Sequence, residues 1–376
     1  MKYLYSNLFY TSLIAKGKVN GGMKMLDDIK LIRQIDKSDM LGAVEGFPEQ
    51  IKESKKIVDN SVVESIFKID NIIISGMGAS SISGDIIQSY FRDKIDIPIF
   101  VNRQYDLPKW SNKNTLVISQ SYSGNTEETL STFKHACQKR CKIIGISSGG
   151  KLQELCEKRE IPHIKMPTGL QPRAATGYSL FLTLYAMKKS GIIKIDFESE
   201  VKEAISVTNN LSNNNKKEII EKNNFSKQIA KKIFNTIPQL YGFDIYTPVA
   251  KRWCTQFNEN SKIICRYDEV SECNHNDIVG WSMNPDATKN FTCILFRDDD
   301  YESIYIKKRL DFMKKLFDDV AGNVLEIKSQ GKKRLAKILY AMYLGDFISC
   351  YLAILRKIDP TPVDAITELK NELAKL

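Results

Sequence analysis

Short apolar runs alternate along this chain with longer amphipathic stretches, and the alternation occurs twice. From Asp27 to about Phe67, apolar residues recur at helical spacing: Leu31, Ile32, Ile35, Leu41, Val44, Ile51, Ile57, Val62, Val63 and Ile66. The spacing predicts helices covering a sheet, with Pro48 starting one or ending its predecessor. Runs at Ile72–Ile74, Ile97–Val101, Thr115–Ile118, Lys142–Ile146 and Ile161–Ile164 predict strands, with helical patterns between them. A second series predicts strands at Gln239–Gly242, Lys262–Cys265, Thr292–Phe296 and Val324–Ile327. Helices are expected around 250–258, 302–317 and 333–355. Strand–helix alternation of this kind builds a doubly wound parallel sheet that binds ligands beyond the C-terminal ends of its strands. The expected class is therefore α/β, with two such units.

Between the two series lies a polar stretch, Ile192 to about Asn224, with an Asn-rich run at Asn209–Asn215. It reads as a linker carrying helical pieces, and Lys216–Ile233 as a solvated basic helical stretch. The boundaries expected are 26–205 for a first unit with leading helices, 206–235 for the linker, and 236–376 for a second unit ending in a helix. Residues 1–25 read as a disordered extension or a mis-assigned start, with Met23 or Met25 as the true beginning. Met1–Ala15 imitates a signal peptide, but Ser6, Asn7, Tyr10, Thr11 and Ser12 interrupt its apolar part.

A length of 376 residues agrees with two packed units. The formal charge of +10 comes from scattered lysines, without a recognisable nucleic-acid module, so a basic surface attracting phosphorylated small molecules is the better reading. Eight cysteines show no CxxC and no paired zinc spacing, which fits free thiols in a cytoplasmic protein and predicts no metal site. No apolar run reads as long enough to span a membrane.

The candidate chemistry centres on Ile118-Ser119-Gln120-Ser121-Tyr122-Ser123-Gly124-Asn125-Thr126-Glu127-Glu128-Thr129. A loop rich in hydroxyls joins a buried strand to a helix start, where unpaired N–H groups and the helix dipole favour an anion. Gly124 lets the backbone bend close to a ligand. No Lys completes a nucleotide P-loop, and an N-capping loop is the plain alternative. Gly76-Met77-Gly78-Ala79-Ser80-Ser81 forms a second small-residue turn after a strand. Gly-x-Gly alone is a weak dinucleotide signal, and close approach of a sugar or phosphate is the other use. Arg173 stands where a Pro- and Gly-rich loop enters a helix, pointing to an anionic partner or to an ordinary surface salt bridge. Glu259 and His275 stand at a helix end and in a polar loop, where either is also an unremarkable surface group. An aldose–ketose isomerase needs a phosphate grip, an acid to open the ring, a base for the carbon-bound proton and a cation for the enediolate. Glu, His and Arg can fill the last three roles.

The run Ser-Tyr-Ser-Gly-Asn-Thr-Glu-Glu-Thr resembles the phosphate-binding signature of sugar isomerase (SIS) domains. Ala79 and Ser83 stand where that pattern usually has glycine. Gly-Met-Gly-Ala-Ser, Leu-Gln-Pro-Arg-Ala, Asn-Glu-Asn-Ser-Lys, Asn-His-Asn-Asp and the terminal Pro-Val-Asp-Ala-Ile-Thr-Glu-Leu-Lys extend the likeness to the archaeal-type bifunctional phosphoglucose/phosphomannose isomerase family. The resemblance runs from about residue 45 to the C-terminus. It implies two SIS subdomains, each an α/β/α sandwich, acting on sugar 6-phosphates without metal or cofactor. It assigns Ser80, Ser121, Ser123 and Thr126 to the phosphate, with Gly78 and Ala79 offering backbone. Glu259 becomes the base, Arg173 the cation for a cis-enediol intermediate, and His275 and Lys370 the ring-opening groups. The family is a homodimer in which the His serves the partner's site. Thr361 resembles the threonine linked to mannose 6-phosphate acceptance. Two rivals stand beside this reading: another SIS-type phosphosugar isomerase, and a non-catalytic phosphosugar sensor.

Overall fold

The apolar runs become two parallel sheets. The computed structural model describes residues 25–283, 285–373 and 375; the expected N-terminal extension lies outside them except for Met25. In the first sheet the order is β2-β1-β3-β4-β5, with β1 Asn71–Ser75, β2 Ile99–Asn102, β3 Thr115–Gln120, β4 Lys142–Ser147 and β5 His163–Lys165. Every pairing is parallel, and the register sets Ile74 beside Ile118 and Ile118 beside Ile144. Successive residues of a strand point to opposite faces, and the packing follows that rule. Ile72, Ile74, Leu116 and Ile118 join one core, while Ile73, Val117 and Ile143 join another on the far face. Covered on both sides, β3 is buried at all six positions, and this is why it reads as a continuous apolar run.

The second sheet has the order β7-β6-β8-β9, from β6 Ile237–Gly242, β7 Arg266–Glu269, β8 Phe291–Arg297 and β9 Asn323–Lys328. Its strands are also all parallel. The strand expected at Lys262–Cys265 is displaced to Arg266–Glu269. β7 is an edge strand whose residues are exposed or half-exposed, so it carries polar residues and no apolar signature. Val62, Val63 and Ile66 likewise fall outside any helix. The helix holding Pro48 in its first turn ends at Asp59, and the chain then runs extended, with the Ile66 N–H bonded to the Ser190 carbonyl at 2.9 Å.

The polar stretch between the sheets is not a loose, solvated connector. Helix Glu198–Asn215 buries Val201, Ala204, Thr208 and Leu211, and helix Phe225–Ile233 buries Ile229, Ala230 and Ile233. Lys227 is wholly buried and donates to the carbonyls of Lys217 at 3.0 Å and Ile219 at 2.7 Å. The asparagines serve structure: the Asn215 side chain accepts from the Ser226 N–H, and the Asn224 amide donates to the Asn215 carbonyl.

Both helices pack on Arg334–Leu355, in which every residue after Arg334 is buried. Among the described residues this one helix is long and apolar enough to cross a membrane, which corrects the expectation that no run reaches that length. The whole of its apolar window is buried inside the protein. All eight cysteines are free.

Candidate active site

β1 and β3 lie side by side at the point where the first sheet's order reverses, and a loop leaves the C-terminal end of each. A Cβ on Gly76 would sit 2.8 Å from both the Gln120 carbonyl and the Ser80 side chain, so these loops touch. Gly78 holds φ 53 with ψ −125, a conformation that only glycine adopts without strain. Ala79 begins helix Ala79–Phe91 directly after it, so the backbone bend falls on Gly78 and alanine is tolerated next door. Ser80 is nearly buried.

Gly124 in the second loop has φ +69, and a Cβ there would lie 1.8 Å from the Gly149 carbonyl. Ser121 and Thr126 share a hydroxyl–hydroxyl bond of 2.8 Å, and Ser121 also accepts from the Gly124 N–H. The Ser123 hydroxyl accepts from the Asn125 N–H. Thr126 occupies the N-cap position of helix Glu127–Gln138, yet its side chain makes no capping bond. No side chain at Thr126 caps this helix, so its first N–H groups are left to an anion, while Ser121 and Ser123 accept from N–H groups within the loop itself, at Gly124 and Asn125.

The Tyr122 hydroxyl accepts from the Leu170 N–H at 2.9 Å, tying this loop to the segment that leads to Arg173. Arg173 is 3 % exposed, so it is no surface salt bridge. Its Nε donates to Asn260 Oδ1 at 2.6 Å, its Nη2 to the carbonyls of Pro360 and Thr361 at 2.8 and 2.9 Å, and its Nη1 stands 3.5 Å from Glu259 Oε2. Burial pushes the guanidinium below its ordinary value, and Glu259 opposes that shift. Beneath it, Arg252 donates to the Arg173 carbonyl at 2.6 Å and to buried Asp346. Burial raises the Asp346 carboxyl even against that partner. A buried pair is orienting rather than strongly stabilising, and here it fixes the main chain under Arg173.

Glu259 is the last residue of helix Thr247–Glu259, and its carboxylate is partly open to solvent. Asn260 next to it is buried, with its amide bonded to the Ser349 hydroxyl at 2.9 Å. Thr361 Oγ1 is buried without a hydrogen-bond partner.

The fold thus unites Arg173, Glu259 and Thr361 at one wall, and Ser80, Ser121, Ser123 and Thr126 around the neighbouring loops. It does not bring in the other two residues. His275 ends a short 3₁₀ turn after β7 and is exposed; Lys370 lies on helix Asp364–Leu373, which has no buried residue. Among the described residues, no side-chain bond joins either to Glu259 or Arg173. Sequence reasoning passed over Asn260, Lys262 and the Pro360 carbonyl as parts of this wall; what marks the first two is the run Asn-Glu-Asn-Ser-Lys, taken there for its glutamate alone, and nothing in the sequence marks a main-chain carbonyl. The same region contains no group of three or more metal-ligating side chains among the described residues.

Fold and loop together define a protein of two sugar-isomerase units. The C-terminal domain of glucosamine-fructose-6-phosphate aminotransferase from Francisella tularensis superposes with a TM-score of 0.65 over 86 % of this chain and 98 % of that one, at 13 % identity. Residues 222–373 match the family described as the bacterial phospho-glucose isomerase C-terminal SIS domain. The chain is 41 % identical to the bifunctional phosphoglucose/phosphomannose isomerase of Caldicellulosiruptor bescii over 90 % of its own length and 99 % of that protein's. It is 33 % identical to the protein of that name from Aquifex aeolicus, over 88 % and 97 % of the two chains. It belongs to the bifunctional phosphoglucose/phosphomannose isomerase family.

Proposed function

We propose that this enzyme interconverts glucose 6-phosphate and mannose 6-phosphate with fructose 6-phosphate. The observation that carries the reading is the Glu259–Arg173 pair, a part-open carboxylate 3.5 Å from a buried guanidinium, on a segment that the Tyr122–Leu170 bond ties to a hydroxyl loop suited to phosphate. The phosphate rests on Ser121, Ser123 and Thr126, with Ser80 and the backbone after Gly78 closing the second side. Glu259 removes the proton from C2 of the open-chain aldose and returns it to C1. A proton passes between the two oxygens in the same event, and Arg173 stabilises the negative charge of the intervening cis-enediolate. Thr361 bears on which C2 epimers are accepted; its unpartnered hydroxyl beside Arg173 supports that role.

Ring opening needs an acid near the ring oxygen, a role that neither Glu259 nor Arg173 takes in this scheme. His275 and Lys370 supply it within a homodimer, the His crossing into the partner's site. The exposure of both residues supports this, as does a C-terminal helix with Ile366 and Leu369 open to solvent. The test is a coupled assay for fructose 6-phosphate formed from each aldose separately, with EDTA present. Turnover of both supports the reading; turnover of glucose 6-phosphate alone removes the mannose half; phosphosugar binding without turnover leaves a sensor.

A further inference from the structure

The turn after Glu259 carries a second cation that the proposed mechanism does not use. Lys262 sits at φ 52, in left-handed backbone that lysine rarely adopts, and its side chain folds back over its own turn. Nζ donates to the main-chain oxygen of Glu259 at 2.5 Å and to the Pro360 carbonyl at 2.9 Å. The first acceptor is a carbonyl at the C-terminal end of helix Thr247–Glu259, where a cation also meets the negative end of the helix dipole. The second is the carbonyl that Arg173 binds from its other side at 2.8 Å. Arg173 and Lys262 therefore share one acceptor. Lys262 holds the main chain of the residue whose carboxylate faces Arg173.

We infer that Lys262 is a positioning residue, whose ammonium locks the helix end bearing Glu259 against the 359–361 segment so that carboxylate and guanidinium stand over the same substrate carbons. The inference rests on the proposed isomerase reading. The charged and titratable groups around the amine are Arg173 from the segment before helix Thr176–Lys189, Asp359 from the C-terminal segment, Glu259 within the same turn, and Cys350 on helix Arg334–Leu355. Burial first, then the charge of Arg173, pulls the amine down to about 8, while Asp359 and Glu259 oppose the shift. Lys262 is thus an ammonium at pH 7 and loses its charge as the pH rises through 8. The neutral amine keeps protons to donate, but its bonds are no longer charge-assisted and its field no longer acts beside the enediolate. Turnover then falls on the alkaline side while phosphate binding, carried by the first unit's loop, stays in place.

The experiment measures kcat and KM for glucose 6-phosphate from about pH 6 to about pH 10 in the full-length wild type, Lys262→Met and Lys262→Arg. Wild-type kcat is expected to fall with an apparent pKa of about 8. Lys262→Met loses roughly tenfold or more in kcat at neutral pH, keeps KM within about twofold, and no longer shows that alkaline limb. Lys262→Arg retains more of the turnover and shifts the limb to higher pH, because a guanidinium stays charged. A lysine that only caps the helix would lower thermal stability and leave the limb where it was. Persistence of the limb in Lys262→Met, or kcat within about twofold of wild type, overturns the inference. If Lys262→Met does not fold, the limb of Lys262→Arg decides, and an unmoved limb overturns it. A wild type that turns over neither sugar overturns the proposed function first, and this inference with it.

Discussion

The second sheet repeats the order of the first sheet's first four strands, yet the two fill the equivalent crevice with opposite chemistry. In the first, the loops after β1 and β3 present Ser80, Ser121, Ser123, Thr126 and the tight Gly124; Ser121 pairs with Thr126, and Ser121 and Ser123 accept from the loop's own N–H groups. In the second, the equivalent loops follow β6 and β8, the central pair of that sheet. There Asp298 is buried, accepting from Lys337 Nζ at 2.7 Å and from the Tyr246 hydroxyl, and Lys337 reaches Asp300 at 2.7 Å as well. Arg297 beside it binds Glu302, Asp311 and Glu326. Burial works against the Lys337 charge, yet its bonds to Asp298 and Asp300 raise the amine overall. A fixed carboxylate with its own cation leaves no place for a phosphate. Topology supplies the crevice, and the side chains at the switch point decide whether it is a site. The second unit contributes from its other end instead. Helix Thr247–Glu259 starts by the filled crevice and delivers Glu259 about 20 Å away, beside Arg173 of the first unit.

That division of labour is broken most severely at Glu259. Glu259→Gln is expected to lower kcat by roughly a thousandfold and leave KM for glucose 6-phosphate within about threefold, because the phosphate grip lies in the other unit. Steady-state kinetics by the coupled assay decide this; a KM that rises with the fall in kcat would mean Glu259 also holds the substrate. Next in size is Lys337→Met. Removing the cation leaves Asp298 buried and unpaired, so urea unfolding should show a loss of about 3–5 kcal/mol, with kcat/KM of the remaining folded protein unchanged. A kinetic loss at unchanged stability would make the second crevice functional after all.

How much of this was legible follows from how far apart the partners lie. The phosphate loop could be read because strand, glycine and helix start are contiguous, and because β3, covered on both faces, leaves an uninterrupted apolar run. β7 could not, since an edge strand of Arg266-Tyr267-Asp268-Glu269 carries no hydrophobic pattern. Helix Arg334–Leu355 was visible as a helix but not as the shared core of both units, since a helix buried all round has no polar face to orient it. Arg173 was visible as a charged residue at a loop end, yet its burial depends on Asn260, Pro360 and Thr361, far along the chain. Lys262 is the same case: its two acceptors were unremarkable carbonyls until the fold put one of them, that of Pro360, against Arg173.

The cost of holding Lys262 as an ammonium gives a smaller effect. Its folded value, about 8, lies below the ordinary 10.5, so between those limits the unfolded chain binds more protons than the native one. Stability from this group is therefore lowest below pH 8 and rises as the pH climbs from 8 to 10.5. Because the side chain is only part-buried and solvent screens it, the rise is of order 1–2 kcal/mol. Unfolding curves across that window should climb in wild type relative to Lys262→Met. Parallel curves would show that the amine titrates at its ordinary value, and the positioning role would lose its electrostatic half.

The smallest effects make the sharpest comparison, because each unit has a hydroxyl at the helix that follows its crevice loop. Ser303 caps helix Ile304–Val320, accepting from the Ile306 N–H at 3.2 Å. Thr126 occupies the same position before helix Glu127–Gln138 and caps nothing, pairing with Ser121 instead. Ser303→Ala should therefore cost about 1 kcal/mol of stability and leave KM unmoved. Thr126→Ala should leave the unfolding midpoint nearly unchanged and raise KM for the sugar phosphates roughly tenfold, the worth of one hydrogen bond to a charged ligand. Two measurements on two variants, an unfolding curve and a KM, fill a square whose off-diagonal cells should be empty. If Thr126→Ala instead loses stability like Ser303→Ala and keeps its KM, the first loop is a helix cap like the second. The phosphate would then have to be sought elsewhere along the wall that holds Arg173.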